Sequence, residues 1–162
     1  MLGGDHSSTI KTLHRIRRLS LDNNLDKEKR KAEQRILNAA MHMEDIYNHI
    51  IEVDAEDYFG NEIQMEAAAI DIADVFEDLH DYDKAIFWLE ILEGSDPFTR
   101  DESDEIIKEA IARCCFKAGH YEKAINYQKK CCEILMEKYG EKSKELVEAK
   151  RILDNYLNAA SV

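Results

Sequence analysis

LHDYDKAIFWLEILE at residues 79–93 and AGHYEKAINYQKKCC at residues 118–132 are two versions of one pattern, 39 positions apart. At this offset four identical pairs coincide: Tyr82 and Tyr121, Lys84 and Lys123, Ala85 and Ala124, Ile86 and Ile125. Apolar residues at helical spacing lie on both sides of a short turn in each copy. The pattern therefore predicts a repeated helix-turn-helix unit, and such units stack into extended surfaces.

Four features of the first copy have a fixed order. A small residue, a tyrosine that starts the second helix, a packing alanine and a closing proline fall at Ala73, Tyr82, Ala85 and Pro97. The chain thereby resembles the tetratricopeptide repeat family. The second copy repeats the pattern at Ala112, Tyr121 and Ala124 without a proline, and its long tail is similar to the lengthened repeats of the kinesin light chain type. Because the usual unit has about 34 residues, the extra residues are expected in a longer loop at Asp96–Glu105.

The resemblance implies an all-α fold, a right-handed α-α superhelix. The apolar pattern along the chain predicts about seven helices. Residues 1–60 are interpreted as an amino-terminal cap or a degenerate first repeat. Residues 61–162 are interpreted as two repeat units with a carboxy-terminal capping helix, all in one continuous domain. The predicted helices span residues 8–20, 25–53, 62–79, 82–93, 101–118, 121–139 and 141–159, with a turn at 22–24 and a loop around Gly60.

The composition favours helix, because the chain has one proline and six glycines among its 162 residues. No apolar run of about 18 residues is present, so no membrane span is predicted. The four cysteines form two adjacent pairs, Cys114-Cys115 and Cys131-Cys132, a spacing that suits neither a zinc site nor a disulfide framework. We expect at least one of each pair in the core, in a reducing intracellular compartment, cytoplasmic or nuclear.

The net charge of −12 is unevenly distributed. Residues 1–43 have 9 basic and 5 acidic side chains, residues 44–109 have 3 and 22, and residues 110–162 have 10 and 7. The acidic middle repels polyphosphates, so nucleic acid and anionic membrane are not expected as partners. It favours a basic protein segment as the partner.

No catalytic motif is present: the sequence has neither a phosphate-binding glycine loop nor a nucleophile elbow. His42 and His49 are seven residues apart on one predicted helix, which places them about 10 Å apart along its axis, too far to share one metal ion. We therefore predict no enzyme activity, no cofactor and no metal.

The concave groove of a repeat array is the expected binding surface, because the resemblance implies that the first helix of each pair lines it. Asp71, Asp74 and Asp78 share one helix face there. The complete predicted set is Ala67, Ile70, Asp71, Asp74, Asp78, Glu109, Arg113, Phe116 and Lys117. An alternative is that Asp74 pairs with Arg113 and Asp78 with Lys117 on the neighbouring first helix, which leaves Asp71 as the better ligand candidate.

Residues 15–20, RIRRLS, match the pattern that basophilic kinases recognise, with Ser20 as the phosphate acceptor. Short motifs of this kind often arise by chance, and a solvated helix end is the alternative.

Together these observations predict an adaptor domain that binds a basic and apolar peptide of another protein in its groove. Two alternatives remain. The first is a self-associating structural module, in which the basic amino-terminal arm docks either on the acidic middle of another copy, which forms a homo-oligomer, or on that of the same copy. The second is a non-catalytic regulatory domain of a larger enzyme.

Overall fold

The computed structural model describes the backbone of residues 6–23, 25–50, 58–94 and 104–161, and the side chains of residues 10–23, 25–42, 68–94 and 104–161. These residues form helices and turns, with no strand among them. The helices are α1 (His6–Asp22), α2 (Asp26–Ile50), α3 (Tyr58–Asp78), α4 (Tyr82–Gly94), α5 (Asp104–Lys117), α6 (Tyr121–Tyr139) and α7 (Lys144–Ala160). The all-α prediction is confirmed for this part of the chain.

Most predicted helix boundaries agree with the structure to within a few residues. The exception is α3, which begins at Tyr58 and includes Gly60, so the loop predicted around Gly60 is wrong. One glycine in a helix costs about 1 kcal/mol, and the packing of the helix can offset that cost. α7 begins at Lys144 because the Ser143 hydroxyl caps it by accepting from the Leu146 amide. Pro97 and most of the longer loop predicted at Asp96–Glu105 lie outside the described residues, and Asp104 and Glu105 form the start of α5.

The chain divides into two compact units, Met1–Leu79 and His80–Val162. In the first unit α1, α2 and α3 each contact the other two helices. Their apolar faces form a core that excludes solvent: Ile10, Leu13, Ala32, Ile36, Ala40, Ala68, Ala69, Ile72, Ala73, Val75 and Phe76 are buried. Burial of these aliphatic side chains stabilises the unit through the hydrophobic effect.

In the second unit each helix packs on the next one along the chain: α4 on α5, α5 on α6, and α6 on α7. Trp88 is the largest fully buried side chain of this unit. Ala85 and Ala124, the packing alanines predicted from the repeat, are both fully buried. Between α6 and α7 the core continues through Cys131 and Leu135 against Leu146 and Ala149.

The turns before α4 and α6 are equivalent, residue for residue, at the offset of 39. α3 ends at Asp78 and α4 begins at Tyr82, whereas α5 ends at Lys117 and α6 begins at Tyr121. A residue with positive φ occupies the same place in each turn: His80 at 62° and Gly119 at 84°. The helix boundaries and the positive φ of these two turns therefore agree with the offset of 39 residues seen in the sequence.

Candidate functional site

The acidic face of α3 is directed at α1. The Nδ1 atom of His14 lies 2.6 Å from the Asp71 carboxylate, and its Nε2 atom lies 3.7 Å from that of Asp74. The guanidinium of Arg17 is hydrogen-bonded to Asp78. The three predicted aspartates therefore face basic side chains of α1, a helix of the same unit. Asp71, which the sequence analysis left as the better ligand candidate, is already in contact with His14 of α1. The spacing of residues within α3 could not predict this partner, because His14 lies on a different helix.

Arg17 connects all three helices of the first unit. Its side chain is 3% exposed, and its Nε atom donates to Glu33 of α2 at 3.0 Å while the guanidinium also reaches Asp78 of α3. Lys29 adds a further ion pair to the same Glu33 carboxylate at 3.6 Å. A forked guanidinium suits this position, because it can donate to two carboxylates in different directions. Arg17 is consequently a structural residue rather than part of a solvated arm.

The remaining predicted groove residues have varied environments. Ile70 on α3 is partly buried, and the side chain of Ala67 lies outside the described part. On α5, Glu109 and Arg113 are partly buried. Since α3 and α5 belong to different units, the predicted pairs of Asp74 with Arg113 and of Asp78 with Lys117 stay predictions.

Phe116 and Lys117 of α5 pack against aromatic rings of the second unit. The Phe116 ring stacks on Tyr156 of α7, with centroids 4.3 Å apart and planes at 14°, and it lies 5.4 Å from the Tyr121 ring. The Lys117 ammonium lies 5.8 Å from the centre of the Tyr82 ring. Phe116 therefore contributes to packing between helices. The sequence analysis had instead predicted that it is an apolar contact for a ligand.

Ser20 is 4% exposed, so the accessibility on which the phosphorylation hypothesis depends is missing in the folded chain. Its carbonyl oxygen accepts a hydrogen bond of 2.8 Å from the Leu25 amide in the turn between α1 and α2. A kinase requires an extended segment in its active site, and the helix would have to open first. Phosphorylation of Ser20 stays a prediction, and it now requires that α1 opens locally around Ser20.

A groove that the sequence analysis missed lies between α1 and α2. Its volume is about 420 Å³, and Leu13, Ile16 and Ala32 supply its apolar surface. Lys31 and Arg35 lie along its rim with Glu28 and Gln34. A signal was present in the sequence: Lys27, Lys31 and Arg35 recur at every fourth residue, which places basic side chains along one face of a helix.

The second unit has a polar cluster around Glu93. Its carboxylate accepts from Lys108 at 2.6 Å and from the Tyr127 hydroxyl at 2.5 Å. Burial tends to raise the pKa of Glu93, but the hydrogen bonds from Lys108 and Tyr127 outweigh it, so the pKa is lowered from its ordinary value. Lys130 lies 4.9 Å from the centre of the Tyr127 ring. The cluster ties α4, α5 and α6 together.

All four cysteines are free thiols, and Cys114, Cys115 and Cys131 are buried. Burial raises the pKa of Cys115 to about 11 and that of Cys131 to about 12. These thiols are therefore poor nucleophiles and poor metal ligands, since both roles require the thiolate. The expectation that at least one cysteine of each pair packs in the core is confirmed.

Comparison of the chain with protein-family models, with curated proteins and with solved structures gives no match. Among the described residues, no three His, Cys, Asp or Glu side chains are grouped so that they could bind one metal ion. None of the helices in the described ranges has the length and apolar character needed to cross a membrane.

Proposed function

We propose that this chain is a helical-repeat adaptor domain that binds a segment of another protein. The observation that carries the proposal is the repeated turn: α4 and α6 begin at equivalent tyrosines, each after a residue with positive φ, and each buries an equivalent alanine. The successive packing of α4, α5, α6 and α7 also suits the stacked hairpins of a tetratricopeptide-type array. Arrays of this kind expose extended surfaces on which other chains bind.

The geometry does not favour the acidic face of α3 as the binding surface. Asp71 is already paired with His14 and is 15% exposed, and Asp78 is already paired with Arg17. A basic peptide would have to displace contacts that connect α1 to α3. The adaptor proposal therefore rests on the repeat and not on the predicted preference for a basic peptide.

Affinity capture with the purified chain as bait tests the proposal. The matched control is Ala124→Asp, which places a carboxylate at a fully buried position and should unfold the repeat. We expect at least one protein to bind the wild-type chain and not the control, and to form a complex of defined stoichiometry by light scattering. Failure to retain any protein beyond the control would contradict the adaptor proposal. A closed homo-oligomer of the purified chain would favour the self-associating alternative.

A further inference from the structure

We propose that the groove between α1 and α2 is a docking site for an acidic, amphipathic helix of a partner protein. This inference rests on the proposed function and names the surface and the partner's chemistry. The groove is defined by its apolar surface, Leu13, Ile16 and Ala32, and by its basic rim, Lys31 and Arg35. Its volume is about 420 Å³.

Ile16 supplies the accessible part of the groove's apolar surface, because Leu13 and Ala32 are buried. Ile16 is 43% exposed, as are Leu19 (54%) and Leu21 (44%) further along α1, whereas Ile10 and Leu13 of the same helix are buried in the core. Ile16 and Leu13 are three residues apart, so they follow one another along the same face of α1. An apolar side chain of a partner that covers Ile16 would remove apolar surface from water, which is favourable.

The rim determines the charge of the partner. Lys31 and Arg35 are exposed and have no ion pair within the described ranges, and the same holds for the neighbouring Lys27 and Arg30 on α2. Glu28 is the one carboxylate among the residues that line the groove in the described part of the chain. The basic side chains thus outnumber it, and an acidic segment is attracted there.

A helix fits this groove better than an extended peptide. The walls are themselves helices, whose backbone amides and carbonyls already bond to each other. An extended peptide would therefore leave its own backbone groups unpaired where it contacts the apolar surface, at a cost in free energy. A helix satisfies its backbone internally and presents apolar side chains at positions i, i+3 and i+4.

A partner protein is a better candidate for the occupant of this groove than a second copy of this chain. Many carboxylates of the acidic middle segment that the structure describes already have basic partners in the same chain. These pairs are Asp71 with His14, Asp78 with Arg17, Glu90 with Lys123, Glu93 with Lys108 and Glu105 with Lys138. Docking of these five carboxylates on another copy's groove would therefore exchange existing pairs for new ones, with little gain.

The experiment uses two synthetic amphipathic helices of about 18 residues, held helical by a side-chain staple, each about 27 Å long. They have the same leucine positions, with glutamate on the polar face of one and lysine on that of the other. Fluorescence anisotropy with the intact chain should show that the glutamate peptide binds at least about tenfold more tightly than the lysine peptide, with an affinity that falls as salt rises.

Variants locate the binding surface. The double variant Lys31→Glu/Arg35→Glu should weaken binding of the glutamate peptide by about tenfold or more, and Ile16→Ser should weaken it without changing its salt dependence. The matched control is Lys129→Glu/Lys142→Glu, which makes the same charge change at exposed positions of the second unit and should leave binding unaltered. Circular dichroism of each variant verifies that the helices are retained.

Several results would overturn the groove inference. They are equal binding of the two peptides, no binding of either, or binding that ignores Lys31→Glu/Arg35→Glu. Oligomers of the wild-type chain that dissociate in that double variant would show that a second copy occupies the groove. A captured partner that binds the double variant as tightly as the wild type would overturn the groove while leaving the adaptor function intact. Absence of any captured partner bears on the adaptor function alone.

Discussion

The cysteines show how burial controls the chemistry of single residues. Cys115 and Cys131 are fully buried, and their pKa values are raised to about 11 and about 12, first of all by desolvation. At pH 8 a thiol with a pKa near 11 is ionised to about one part in a thousand. Cys132 is only partly buried. Cys115 and Cys131 are therefore protected both by low ionisation and by lack of access, and Cys114 is protected by its burial.

We expect iodoacetamide at pH 8 to alkylate Cys132 first in the native chain. Cys114, Cys115 and Cys131 should react only on the timescale of unfolding, because the reagent must reach a thiolate. Mass mapping of the labelled sites checks this, and the urea-unfolded chain, where all four should react at similar rates, is the control. Labelling of Cys131 as fast as that of Cys132 in the native chain would contradict the burial described.

Ser20 is a second case in which access decides reactivity. A basophilic kinase should phosphorylate a synthetic peptide of residues 11–25 readily and the intact chain slowly, because Ser20 is buried in α1. The peptide with Ser20→Ala is the control for the site. Initial rates of phosphate transfer measure the difference. Equal rates for the peptide and the intact chain would mean that α1 opens far more easily than its contacts indicate.

At the scale of elements, the paired turns at His80 and Gly119 differ in one respect. A residue with a side chain costs about 1–2 kcal/mol in the left-handed region, and glycine avoids this cost. Gly119→Ala should therefore lower the free energy of unfolding by about 1–2 kcal/mol. No further cost from a steric clash is expected, because the space around the new methyl group is open. His80→Gly should change it by less than about 0.5 kcal/mol, because relief of strain is offset by the greater entropy of glycine in the unfolded chain.

Urea denaturation of both turn variants and of the wild type measures these differences. In His80→Gly the contact of 2.7 Å between His80 Nδ1 and the Tyr82 hydroxyl is also lost, which acts against the relief of strain. A Gly119→Ala variant as stable as the wild type would show that the turn before α6 does not need a left-handed residue.

Arg17 controls how α1 packs on its neighbours. Arg17→Ala would leave Glu33, which is 12% exposed, with a weaker partner and would leave Asp78 unpaired. We expect a loss of about 2–4 kcal/mol in the free energy of unfolding, less than for a fully buried pair because Asp78 is half-exposed. Arg17→Lys should lose less than the alanine variant does, because an ammonium group can satisfy one carboxylate but lacks the fork.

Arg18 provides the matched control for Arg17, since it is the adjacent arginine of α1 and is exposed. Arg18→Ala should alter stability by less than about 0.5 kcal/mol. Chemical denaturation followed by helical signal compares the three variants. Equal effects of Arg17→Ala and Arg18→Ala would mean that the contacts from Arg17 to α2 and α3 contribute nothing measurable.

At the scale of the whole molecule, the secondary structure of the described residues is helical in both units, with turns as the connections. Far-UV circular dichroism of the chain should therefore show the two minima of α-helix, near 208 and about 222 nm, with no appreciable strand component. On heating, both minima should disappear in parallel. The helices of one unit should unfold together, because they share one core. A spectrum with substantial strand content would contradict the fold.

The sequence alone determined the helices, the two equivalent turns and the burial of Ala85 and Ala124, because these follow from local periodicity and from residues close together in the chain. Gly60 was misplaced, since packing can retain a glycine within a helix. Only the tertiary structure decided which groups meet Asp71 and Asp78. Their partners, His14 and Arg17, are 57 and 61 residues away in sequence. The packing of α1 on α3 brings them into hydrogen-bond contact. The folded chain also buries Ser20 and leaves Ile16 exposed, so access to these side chains could not be predicted from a helix considered alone.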